Sequence, residues 1–177
     1  MKIPKILAPA GDKNAFLAAV AAGADAVYCG LKIFSARMEA SNFSVEELSR
    51  LTSLAAAHEV EVYLAVNSII KESEIDKIFK ILCKVARYTG INGLIIQDPA
   101  LIKLARKAGF SGELHLSTLG NCTSASGVKK AAELGLKKVV LPREFNIDEM
   151  KAVAGDIPLG TELEVFIHGA LCYSVSG

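Results

Sequence analysis

The feature that most constrains this chain is a regular alternation of short apolar runs with amphipathic stretches from one end to the other. Runs rich in Val, Ile and Leu read as strands over Lys5–Pro9, Ala26–Gly30, Glu61–Asn67, Gly93–Gln97, Glu113–Ser117, Lys138–Leu141 and Glu162–His168. Between them, apolar residues recur at helical spacing over Asp12–Ala22, Ser44–His58, Glu72–Thr89, Pro99–Ala108, Thr123–Leu134 and Ile147–Ala154. Glycines 23, 90, 109, 135 and 155 stand where five of these helices should stop. Ser44 followed three residues later by Glu47 is a capping box.

Strands alternating with helices predict a parallel sheet with right-handed crossovers, either open and doubly wound or closed as a (β/α) barrel. No GxGxxG follows the first strand, which disfavours a dinucleotide-binding open sheet. Polarity within the strands decides between the two. Glu113, His115 and Ser117 share one face, Tyr63, Ala65 and Asn67 another, and Glu164, Phe166 and His168 oppose Leu163, Val165 and Ile167. Helices on both sides of an open sheet would ask for two apolar faces. One polar face fits an α/β barrel of TIM type, its helices outside and its lumen leading to a site. Residues 1–177 are read as a single domain, and the strand count predicts a barrel truncated at its C-terminal end. An open edge strand and uncovered apolar surface predict that the isolated chain forms homo-oligomers or is marginally stable.

Composition narrows the function classes. Hydrophobic residues make up 51% of 177, which suits a buried core rather than disorder. No apolar run approaches the roughly 20 residues that cross a bilayer. The N-terminal apolar stretch is broken by Pro9, Gly11 and Asp12, so no signal peptide or membrane partner is expected and the cytoplasm is the expected compartment. A net charge of +1 supplies no overall field toward nucleic acid. The basic groups Lys103, Arg106 and Lys107, and Lys129, Lys130, Lys137 and Lys138, read as solvated faces of helices and their ends.

Chemistry in a barrel gathers at the C-terminal ends of the strands. There the chain places Tyr28 and Cys29, then Arg37 and Asn42, Asn67, Gln97 with Asp98, Ser117 with Thr118, Arg143 with Glu144, and His168. His115 lies two residues earlier on the polar face. Plainer roles compete: Asp12 and Asp98 are good helix starts, and Arg143 can pair with Glu144.

His168 and Cys172 leave three alternatives open. They could act as base and nucleophile, as metal ligands for iron or zinc, or as a lumen hydrogen-bonding group and a buried packing thiol. Cys29 and Cys122 also lie near strand exits, where they could approach Cys172, while Cys83 falls on the apolar face of a helix. Four widely spaced cysteines with no CxxC argue against a disulfide framework. GxSxG, HExxH, Walker A and EF-hand patterns are absent.

The segments LAPAGD, GADAVYCGL, Ser35-Ala-Arg37, IIQDPALI, ELHLST, VVLPRE and ELEVFIHGALCYSVSG together resemble the U-thirty-two peptidase family, the collagenase-like proteases. The resemblance covers essentially the whole chain. Its signature, E-x-F-x-x-G-[AS]-L-C, a spacer and G-x-C, is met by Glu164, Phe166, Gly169, Ala170, Leu171 and Cys172, with Gly177 as the second glycine.

The resemblance implies one of two activities. Some members are described as peptidases; others resemble oxygen-independent hydroxylases of a tRNA uridine, an rRNA cytidine or a ubiquinone precursor. The absent protease motifs and the polar rim fit the hydroxylases better. By the resemblance, Cys172 and later cysteines hold an iron–sulfur cluster, and prephenate is a hydroxyl donor in certain cases. The expected site is then His168, Cys172, Arg143 and Glu144 as the reacting and positioning groups. Tyr28, Arg37, Asn67, Gln97, Asp98, His115, Ser117 and Thr118 would line the substrate, with Cys172 as metal ligand. RNA or a peptide is the expected substrate, and a second copy or a related family subunit the expected partner in a binding-only role. Gly120-Asn121-Cys122 departs from the polar run usual after the Ser-Thr pair, which bears on substrate choice.

Overall fold

Seven parallel strands lie in one sheet in strict chain order, the topology of a (β/α) barrel; an open doubly wound sheet would reverse its order partway. A computed structural model describes residues 3–35 and 42–169. The strands are β1 (Leu7–Ala10), β2 (Ala26–Gly30), β3 (Glu61–Val66), β4 (Gly93–Ile96), β5 (Glu113–Leu116), β6 (Lys138–Val140) and β7 (Glu162–Glu164). The intervening helices are α1 (Lys13–Ala21), α2 (Val45–Ala57), α3 (Ile75–Tyr88), α4 (Ala100–Lys107), α5 (Ala125–Glu133) and α6 (Ile147–Ala154). Among the described residues β1 and β7 pair with one neighbour each, so the barrel is open between them.

Local chemistry sets the helix bounds. The Asp12 side chain accepts from Ala15 N at 2.9 Å and so starts α1. Ser44 and Glu47 close the expected capping box on α2, and Asn146 with Glu149 repeats the device on α6. Gly23, Gly109 and Gly135 end α1, α4 and α5 with φ of +80°, +85° and +85°, the left-handed turn that glycine enters without strain.

The main core lies between sheet and helices. Outward-facing Val27, Leu64, Leu94, Ile96, Leu114 and Val139 pack against Phe16, Leu48, Ile78, Leu82, Leu101 and Val128. Phe16 is fully buried and meets Phe43 edge-on with centroids 6.2 Å apart. Each such side chain contributes about 1.5–3 kcal/mol by leaving water.

Two expectations change. The last strand, expected over Glu162–His168, is a ladder only over Glu162–Glu164, because β6 is its single partner and is itself three residues long. The stretch Glu72–Thr89 begins as a 3₁₀ turn over Glu72–Glu74 before α3 proper. No helix among the described residues is long and apolar enough to cross a membrane.

Curling of the sheet shows in contacts between strands that do not touch along the ladder. The Tyr63 ring on β3 stacks near His115 on β5, with centroids 4.6 Å apart, and Lys138 Nζ on β6 stands 5.1 Å from the same tyrosine ring. Gly93, on β4 between them, makes room: a Cβ there would lie 2.9 Å from Tyr63 Cδ1 and 2.9 Å from the Glu113 carbonyl oxygen. Gly93→Ala is therefore expected to lower stability by about 1–3 kcal/mol in urea denaturation, the usual range for overpacking. An unchanged midpoint would mean that the tyrosine moves aside at no cost.

Candidate functional site

Strands tilted around a barrel bring side chains from alternate strands into common layers. Following the strand registers, Leu7, Tyr63, His115 and Glu164 from β1, β3, β5 and β7 form a middle layer. Lys5, Glu61, Glu113 and Glu162 lie below it, and Ala26, Gly93 and Lys138 fit between. Above it Tyr28 joins Ile95 and Val140, leading toward the mouth. The polar strand faces that predicted a lumen do line one.

The floor is closed by its own charges. Lys5 Nζ pairs with Glu61 Oε2 at 2.8 Å, and the Tyr63 hydroxyl donates to the same oxygen at 2.9 Å. Burial alone would raise the Glu61 carboxyl; the Lys5 and Tyr63 hydrogen bonds outweigh it and hold the group below its usual range. Burial and the Glu61 carboxylate both push the Tyr63 hydroxyl upward, so it stays a donor. Lys138, read from sequence as part of a solvated basic face, instead points into the lumen with its side chain 12% exposed. Its Nζ lies 3.8 Å from Glu162 and 4.0 Å from Glu164. Glu164 Oε2 has no hydrogen-bond partner, and burial raises its carboxyl against the opposing pull of Lys138.

The expected site residues divide into distinct places. His115 is 0% exposed and sits in the middle layer, below the mouth. Its Nε2 lies 2.9 Å from Glu113 Oε2, and its Nδ1 has no partner. Burial lowers its pKa more than Glu113 raises it, so the ring is neutral, with its proton on Nε2 toward the carboxylate. Tyr28 is half-buried beside Tyr63 in register.

At the mouth itself, Asn67 is half-buried past β3. Gln97 donates from Nε2 to Leu119 O at 3.1 Å, and buried Ser117 accepts from Leu119 N at 3.3 Å. The Thr118 hydroxyl, and that of Ser68 which sequence reasoning passed over, are buried without partners. Asp98 is committed to structure: its oxygens accept from Ala100 N at 2.9 Å and Ile70 N at 3.5 Å, the helix start weighed against a rim role.

The other side of the mouth holds the cation. The Arg143 guanidinium lies 4.0 Å over the Phe166 ring. A Cβ at Gly169 would come within 3.7 and 3.8 Å of its two Nη atoms, so the chain passes in van der Waals range of the guanidinium there. Glu144 is exposed on the same loop, and His168 is exposed beside Gly169. Phe166 reads from sequence as part of a signature and as sharing a strand face with Glu164 and His168; its contact with Arg143 is what the sequence does not show. Arg37 and Cys172 lie outside the described residues.

The described cysteines do not gather. Cys29 faces the helices, is 2% exposed, and burial pushes its thiol up to about 12. Cys122 is buried against Ser124 O with its thiol raised, and Cys83 is half-buried on α3. No three His, Cys, Asp or Glu side chains among the described residues could hold a metal. These three thiols therefore do not fit a cluster.

The buried imidazole has a measurable signature. Acidification protonates His115 in the unfolded chain near the ordinary value of 6.5, but in the folded protein only at lower pH. The stability tied to this group is thus complete above that value and drains as pH falls through it. His115→Phe should lose less stability than wild type between about pH 7 and pH 5, by at most about 1.4 kcal/mol per pH unit. Equal slopes in urea denaturation would show that the ring titrates alike in both states.

Comparison with known proteins places this architecture. Residues 11–177 match Peptidase family U32. The chain is 33% identical to tRNA hydroxylation protein P1 of Bacillus subtilis over 99% of its own length and 41% of that protein. It is also 33% identical to a collagenase of Porphyromonas gingivalis, over 98% of its length and 43% of that protein. It thus spans about two-fifths of each of these two relatives. A solved U32 peptidase superposes with a TM-score of 0.71 at 12% identity, covering 93% of this chain and 70% of that one, a likeness of fold. With its sequence matched from residue 11 to residue 177, the chain belongs to peptidase family U32.

Proposed function

We propose that this chain forms part of the barrel of an enzyme that hydroxylates a base in RNA, with the mouth as its reactive end. The observation that carries this reading is the Arg143 guanidinium, whose Cζ lies 4.0 Å from the Phe166 ring centroid at the C-terminal ends of β6 and β7. A guanidinium carries five donors in a fork that can take an anion beside its other contacts, suited to a phosphate of RNA or to the carboxylates of a donor such as prephenate. Relatives named for tRNA and rRNA hydroxylation support the choice of RNA. The base would lie across the mouth over Gln97, Ser117 and the buried Thr118 hydroxyl, with Glu144 and His168 at its edge.

Cys172 is the thiolate this chain would offer to an iron–sulfur cluster, which would supply the redox chemistry of hydroxylation. Cys29 and Cys122 are packed into the apolar core instead, 2% and 5% exposed. Collagenase and protease names among relatives keep peptide hydrolysis as the second reading. It too would draw on Cys172, with His168 four residues away as base. A third role, binding a related subunit without turnover, leaves RNA and iron unaffected by any mouth substitution.

Three measurements on the full-length protein separate these readings. Anaerobically purified wild type should carry iron and acid-labile sulfide that Cys172→Ala loses. RNA nucleosides from cells lacking the gene should miss one hydroxylated base, restored by wild type. Arg143→Ala should keep its iron but lower the modification at least about tenfold, as loss of a charged contact would. Absent iron in wild type with casein or gelatin cleaved would overturn the proposal in favour of the peptidase.

A further inference from the structure

Strand β7 leads on to His168 and Gly169 at the mouth, yet among the described residues it has the fewest ladder pairs of the seven. It pairs on one side only, through three residues of β6. On its outward face Leu163 packs on the core, but Val165 and Ile167 are 42% and 81% exposed. Its inward face is different: every second side chain meets a cation from the β6 segment. Glu162 and Glu164 face Lys138 Nζ at 3.8 and 4.0 Å, and Phe166 lies 4.0 Å beneath Arg143. Two cations on one segment thus answer three inward side chains on the next, from the floor of the barrel to its mouth.

We infer that Lys138 is a positioning residue for the mouth: from inside the barrel it ties Glu162 and Glu164 to β6 and so holds Phe166 where Arg143 stacks on it. A buried ammonium is costly unless paired, and removing it strands the carboxylates it answers. Lys138 is bounded by those glutamates and by the face of Tyr63, with Glu61, Glu113 and His115 in the adjoining layers. The ion pairs are too long for hydrogen bonds, so they act as charge across the seam rather than as fixed geometry. The inference rests on the mouth being the reactive end, but on no particular reaction there.

Hydrogen exchange on the full-length protein tests it without reference to turnover. Lys138→Met should speed exchange of the Leu141 and Glu162 amides, which donate to Glu164 O and Lys137 O across the seam, by about tenfold, while β2 to β4 keep their wild-type rates. Glu164→Gln should loosen the same amides in the wild-type background and add little to Lys138→Met. Unchanged exchange in both variants, additive effects, or a uniform rise across all strands would overturn the inference. Should Lys138→Met fail to fold, Glu164→Gln alone decides, because local loosening and wild-type rates are its two outcomes. A failed RNA assay with local loosening intact would sink the proposed reaction and leave the positioning role standing.

Discussion

Charge on one face of a parallel sheet is tolerable only where that face encloses it, and this constraint organises the molecule. Glu61, Glu113, Lys138, Glu162 and Glu164 would be ruinous beneath a layer of helices, where neither water nor partners could reach them. Curling brings Lys138 under Tyr63 and beside two glutamates, and brings Lys5 onto Glu61. The outward faces of the same strands stay apolar and take the helices. Gly93 belongs to the same logic, since the absent side chain is the space in which Tyr63 lies.

The two ends of the lumen consequently differ in kind. At the floor, cations and carboxylates answer one another and the tyrosine hydroxyl is spent on Glu61. At the mouth, two hydroxyls, on Ser68 and Thr118, are buried without partners, and a guanidinium is braced by an aromatic ring. A ligand is better received where hydrogen-bonding capacity remains than where it has been consumed. His115 shows the boundary: its chemistry is that of a base, but at 0% exposure and two layers down it serves the interior.

Much of this was legible because two periods are simple. Alternation of two within Glu113–Ser117 marks a half-polar strand, and helical spacing over Ile147–Ala154 returned a helix with the same bounds. Asp12, Ser44 and Glu47 announced their caps by residue type alone. What failed to show was what depends on neighbours distant in the chain. Lys138 reads as surface charge in a run with Lys137, and only its register with His115 and Glu162 turns it inward. The last strand reads as seven residues, yet a ladder needs a partner of equal length and β6 offers three. Phe166 reads as a lumen-side residue, but nothing in the sequence pairs it with Arg143.

Parity along a strand also settles the thiols. Tyr28 and Cys29 are adjacent, so one must face the lumen and the other the helices; the tyrosine faces in, and the cysteine becomes inert packing. The run Gly120-Asn121-Cys122 yields to a similar argument. A Cβ at residue 120 would lie 2.6 Å from Leu116 Cδ1, and Asn121 closes a 3₁₀ turn at φ +50°, a conformation asparagine accepts. Cys122 then drops into the outer cleft between α4 and α5, away from the lumen. Turn geometry accounts for all three residues, which serve the passage from β5 to α5. The groups that would meet a substrate at that strand, Ser117 and Thr118, precede it and keep their places.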